Sequence, residues 1–171
     1  MPASRGGYSM MSCTGGGHPE EPMDLVKRFG EYAAAFERVY QSDDWSQLEA
    51  FFTEDAVYEV HGGPPFGARA EGREALIARL RSSVDAFDRR FPSRRLQLLE
   101  GPALLDDCVW LRWRVSYSGP GIPELVLDGE ESASFDGDRI CRLEDRFPPE
   151  AGHITEMWFR SYAKLIPPAP A

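Results

Sequence analysis

The chain has 171 residues, a length that suits one domain better than two. Hydrophobic residues make up 42% and aromatics 12%, enough for a real core and too much for general disorder. With 28 Asp+Glu against 19 Lys+Arg the net charge is -9, which disfavours nucleic acid as a partner because phosphate binding needs a basic face.

Cys13, Cys108 and Cys141 are the 3 cysteines, an odd and sparse set without metal-ligand spacing. They suit reduced thiols in a cytoplasmic protein. Cys108 and Cys141 are open to two readings, partners across neighbouring strands or a pair of small buried hydrophobes, and the second is favoured. The N-terminus lacks the apolar stretch of a signal peptide, and no run of about 18 apolar residues suggests a membrane partner.

Residues 1–22, rich in Gly and Pro, are expected to form a disordered leader, 23–150 the domain, and 151–171 a C-terminal helix and tail. From Asp24 to Gln41 the apolar Val26, Phe29, Ala33, Phe36 and Tyr40 recur at helical spacing. Ser42-Asp43-Asp44 ends that helix and caps a second, with Trp45, Leu48, Phe51 and Phe52 on one side. Ala56 to His61 is a short strand ended by Gly62-Gly63-Pro64-Pro65. After a loop, Gly72 to Phe87 forms a third helix with Leu76, Ile77, Leu80, Val84 and Phe87 facing inward.

Strands follow: Arg94 to Leu104, kinked at Gly101-Pro102; Cys108 to Ser118; Glu124 to Phe135; and Arg139 to Phe147 after the tight turn at Asp136-Gly137-Asp138. A last amphipathic stretch, His153 to Ile166, sets Ile154, Met157, Trp158 and Leu165 roughly on one face. The order predicts an α+β fold: three N-terminal helices on a curved antiparallel sheet, a cone-shaped half-barrel with an extra C-terminal helix and an apolar cavity between the layers.

Phe51-Phe52-Thr53-Glu54-Asp55-Ala56-Val57-Tyr58-Glu59-Val60, followed by Gly72-Arg73-Glu74-Ala75-Leu76, resembles the central signature of SnoaL-like proteins of the nuclear transport factor 2-like superfamily. Asp136 to Phe147 resembles the family's last hairpin. The resemblance implies a pocket for a hydrophobic small molecule and a homodimer through the sheet. It also implies acid–base chemistry without a cofactor, of the polyketide cyclase, isomerase or epoxide hydrolase kind. Against ketosteroid isomerase, the positions of its base, oxyanion-hole Tyr and protonated acid fall on Val60, Phe36 and Glu131. Against limonene epoxide hydrolase, Tyr58 matches a water-holding Tyr, Asp145 the catalytic Asp and Arg112 the bridging Arg.

Asp145, Glu131 and Tyr58 are therefore the candidate catalytic residues. One of Glu130 and Glu131 must point inward, and Asp145 shares a face with Leu143 and Phe147. An inward carboxyl group must be paired, hydrogen-bonded or neutralised, which makes it a candidate acid or base. The candidate substrate-binding residues are Phe36, Val60, His61, Leu111, Arg112, Trp113 and Val115. Two lining sets stay open. Alternation favours Leu111, Trp113 and Val115, while the hydrolase match favours Arg112 and Arg114. No second His or Cys stands near His61 at ligand spacing, so no metal is expected. A non-catalytic binding or dimerisation module is the alternative function.

Overall fold

The structure, a computed structural model, describes residues 24–169, so the expected leader with Cys13 and His18 lies outside the described residues. Helix α1, Leu25–Ser42, begins where the Asp24 side chain accepts the backbone N–H of Lys27 at 3.0 Å, and ends at Asp43 in the left-handed region. Its buried face is Phe29, Tyr32, Ala35 and Val39, rotated from the predicted stripe. The second predicted helix is a 3-10 segment, Trp45–Phe51, with Phe52 already in the sheet. The Trp45 indole donates to Asp43 and two side chains donate to Asp44, so the acidic pair shapes the junction.

Strand β1 is Phe52–His61 and β2, absent from the expectation, is Ala68–Glu71. Helix α2 spans Arg73–Ala86, and β3 to β6 span Ser93–Leu105, Cys108–Gly119, Ile122–Asp136 and Arg139–Arg146. One six-stranded sheet forms in the order β2-β1-β6-β5-β4-β3, antiparallel except where β1 lies parallel to β6. Asp106 and Asp107, both at positive φ, make the two-residue turn that pairs Leu105 with Cys108. β5 separates β4 from β6, so Cys108 and Cys141 are not on neighbouring strands. Both are free thiols and neither is fully buried, which corrects both readings of the pair.

Two apolar clusters fill the molecule. The first joins α1, α2 and the inner face of β1, β4, β5 and β6 around Leu48, Phe52, Leu76 and Leu143. The second lies under helix α3, Pro149–Tyr162, around Phe91, Tyr117, Leu125 and Trp158. Of the predicted C-terminal face Trp158 is buried as expected, but Ile154, Met157 and Leu165 are exposed, and Ala151, Gly152 and Thr155 are the other buried residues of α3. Gly152 must lack a side chain because a Cβ there would stand 2.3 Å from the Pro64 carbonyl oxygen. Among the described residues no helix is long and apolar enough to cross a membrane.

Candidate functional site

The inner face of the sheet, α1 and α2 enclose a cavity of about 670 Å³. Strand alternation decides what enters it. Tyr58 and Val60 of β1, Leu111, Trp113 and Val115 of β4, Glu131 of β5 and Asp145 of β6 all line it, with Phe36 of α1 above. Trp113 can lie flat there because its partner on β5 is Gly129, where a Cβ would come within 2.3 Å of the indole. The edge of its ring is closed by Phe147, centroids 5.4 Å apart.

Val60, Asp145, Glu131 and Leu111 form one row across β1, β6, β5 and β4, each paired with the next. Two carboxyl groups are thus cross-strand neighbours on an otherwise apolar surface, where both cannot easily be charged. The Tyr58 hydroxyl donates to Asp145 Oδ2 at 2.6 Å. Burial pushes Asp145 up to about 6, against the pull of that hydrogen bond and with a contribution from the charge of Asp88. Glu131 is raised well above the usual carboxylate range, first by burial and then by the negative charge of Asp145. Glu131 has no hydrogen-bond partner among the described residues, and the pair is driven apart in protonation by unequal partners. Tyr58 and Tyr32 stay protonated donors: burial, then Asp145 for Tyr58 and Glu131 for Tyr32, holds each well above the ordinary phenol value.

Tyr32 was not among the predicted site residues. It lies one helical turn before Phe36 on the cavity side of α1, and the spacing from Phe29 could have revealed it. Asp88 was also missed, because it stands in a 3-10 turn, Asp88–Arg90, whose placement depends on the tertiary fold. It accepts the Tyr117 hydroxyl at 2.9 Å and Arg94 Nε at 3.0 Å, both on Oδ1, while Arg94 also reaches Glu37 at 3.1 Å. All four side chains line the same cavity. Burial raises Asp88, opposed by Arg94 and Tyr117.

Two predicted binding residues are corrected. Period-two alternation that turns Val60 and Leu111 inward turns their neighbours His61 and Arg112 outward. Arg112 lies on the outer face with Glu100 at 3.4 Å and Glu130 at 4.0 Å, and Arg114 pairs there with Asp128 at 2.6 Å. His61 sits on that face within 3.1 Å of Glu144. Glu59, His61 and Glu144 bring ligand-type atoms within 4.8 Å of one another. Arg69 and Arg142 already occupy Glu59, and Arg142 also holds Glu144 at 3.1 Å, so the group works as an ion-pair network.

Among curated proteins, none matches the sequence significantly. Solved structures similar to this chain include a candidate isomerase from Rhodopseudomonas palustris, 15% identical, with TM-score 0.60, covering 76% of this chain and 96% of its own. A candidate polyketide cyclase from Xanthomonas campestris pv. campestris is 22% identical, with TM-score 0.50, covering 79% and 97%. An NTF2-like protein of unknown function from Mesorhizobium loti is 25% identical, with TM-score 0.50, covering 75% and 97%. The family profile described as the SnoaL-like domain matches residues 32–147, which holds every cavity residue described above except Phe29 and leaves α3 outside. The chain belongs to the SnoaL-like family.

Proposed function

We propose that the chain is a cofactor-independent acid–base enzyme acting on a hydrophobic carbonyl compound, of the isomerase or cyclase kind. The observation that carries this reading is the Glu131–Asp145 pair, opposed across β5 and β6 inside an apolar cavity. Two carboxyl groups whose environments separate their pKa values divide into one acid and one base.

Asp145, near 6 and held by Tyr58, is ionised around neutral pH and takes the proton on the carbon beside the substrate carbonyl. The electron pair moves onto the carbonyl oxygen, where protonated Glu131 donates a hydrogen bond to the developing enolate. Return of the proton from Asp145 to another carbon gives an isomer. Attack of the enolate carbon on a second carbonyl closes a ring, and Asp145 returns its proton to the new alkoxide, which restores both carboxyl groups to their starting states. Apolar walls such as Leu111, Val115 and Leu127 exclude water and keep both pKa values high.

The test is deuterium uptake next to the carbonyl of hydrophobic ketones in D₂O, followed by NMR. Uptake faster than the buffer rate that falls at least about 100-fold in both Asp145→Asn and Glu131→Gln supports the proposal. Equal uptake in wild type and both variants overturns it. The alternative, a non-catalytic binder, is favoured by apolar Phe36 and Val60 where related enzymes place working polar groups. The convergence of two carboxyl groups and two phenols weighs against it.

A further inference from the structure

We infer that the cavity contains a second polar subsite, made by Asp88, Tyr117 and Arg94, that accepts a hydroxyl group carried by the same substrate. The inference rests on the acid–base reading only for what reacts at the other end. Three observations support it.

Asp88 uses a single oxygen for its side-chain partners: Oδ1 accepts both the Tyr117 hydroxyl and Arg94 Nε. Oδ2 accepts no hydrogen bond from another side chain among the described residues, although the residue borders the cavity. A carboxylate oxygen on an apolar cavity wall is a strong acceptor, and its hydrogen bond to a neutral donor is charge-assisted.

The charge balance selects the donor. The Arg94 guanidinium lies between Glu37 and Asp88, and with Arg79 the cavity wall carries two cations against the carboxylates of Glu37, Asp88 and Asp145. An anionic ligand would add to surplus negative charge, which also reaches Asp145 across the cavity. A neutral alcohol or phenol adds no charge and satisfies Oδ2. Burial already raises Asp88, so a donor on Oδ2 also favours its ionised form.

The surroundings suit a ring system. Phe87 lies edge-on to Tyr117 with centroids 5.2 Å apart, and Val115 and Leu127 continue the apolar wall towards Trp113. The substrate class is therefore a hydroxylated, ring-bearing ketone, with its enolisable carbon at Asp145 and its hydroxyl at Asp88.

The experiment is calorimetric titration of the full chain with 2-tetralone and 6-hydroxy-2-tetralone, which differ only in the distal hydroxyl. Wild type is expected to bind the hydroxy ketone about tenfold more tightly. In Tyr117→Phe and Asp88→Asn that advantage, read as the ratio of the two affinities within each variant, shrinks to about twofold or less. Tyr117→Phe keeps the test valid if Asp88→Asn does not fold. In Asp145→Asn the advantage persists, so this binding result separates the subsite from the catalytic reading. Equal affinity of the two ketones in wild type, no binding of the hydroxy ketone, or an advantage kept in both subsite variants would overturn the inference. Tighter binding of 6-(aminomethyl)-2-tetralone, an alkylammonium at neutral pH, would also overturn it, in favour of a cation site.

Discussion

The Tyr58 hydroxyl donates to Asp145 Oδ2 at 2.6 Å, from a residue diagonal to Asp145 across the parallel pairing of β1 and β6. This bond separates the two carboxyl groups chemically. It stabilises the charged form of Asp145, while Glu131, directly opposite, receives no such support. Without it, both groups would be raised by burial with little to distinguish base from acid.

Tyr58→Phe removes that donor and leaves the ring. Asp145 then titrates above its present value of about 6, and the rising limb of the pH–rate profile moves to higher pH. Activity at pH 7 falls roughly 10–100-fold, partly recovered as the pH is raised, in line with the worth of a hydrogen bond to a charged group. The pH dependence of deuterium uptake checks this, and an unmoved limb contradicts it.

Stability should respond to pH with an unusual sign at this pair. Asp145 is raised from 3.8 to about 6, so the folded state holds its proton where the unfolded chain has lost it. The stability this contributes is fully present below about pH 4 and is lost as pH rises through about 6, on the order of 3 kcal/mol. Glu131 extends the loss to higher pH. The groups facing Asp145 are Glu131, Tyr58, Tyr32 and the more distant Asp88. Chemical denaturation across that range is expected to show Asp145→Asn gaining on wild type as pH rises.

Gly129→Ala forces the Trp113 indole off the sheet, since the new Cβ would lie 2.3 Å from the ring. The ring is held between Gly129 and Phe147, and overpacking of this kind costs roughly 1–3 kcal/mol. Cavity volume falls as well, so thermal unfolding and 2-tetralone affinity should both decline. Gly152→Ala pushes α3 from the Pro64 carbonyl instead. It should lower Tm by a similar margin and leave Asp145 titrating as before.

The sheet's outer face is a lattice of ion pairs, including Arg114–Asp128 at 2.6 Å and Arg112–Glu100 at 3.4 Å. A homodimer through that face, as the family resemblance implies, would join two charged surfaces. We propose that such a dimer is held by charge complementarity across this face; light scattering would then show dissociation between about 50 mM and 500 mM salt as screening grows. A dimer insensitive to salt argues for another interface.

Strand alternation made the pair of cavity carboxyl groups legible. Glu130 and Glu131 cannot share a face, and Asp145 must follow Leu143 and Phe147. The same rule, carried one residue further, turns His61 and Arg112 outward, and the hydrolase match obscured it for Arg112. Tyr32 escaped because the apolar stripe of α1 was centred on Ala33, although Phe29, Tyr32 and Phe36 share the cavity side. Asp88 became visible only when β3 and β4 brought Arg94 and Tyr117 to it. The buried face of α3 begins with Ala151, Gly152 and Thr155, whose small size hides it from any count of hydrophobic residues. β2 has only four residues, alternating half-buried and exposed, too short for a period to register.

The most direct test is to titrate the two carboxyl groups by ¹³C NMR with labelled Asp and Glu, assigned through Asp145→Asn and Glu131→Gln. The account predicts one resonance titrating near 6 that vanishes in Asp145→Asn and survives in Glu131→Gln. A second resonance, titrating well above the usual glutamate range, falls towards it when Asp145 is neutralised. Both groups titrating at ordinary carboxylate values would contradict a water-poor cavity with a divided pair, and the acid–base proposal with it.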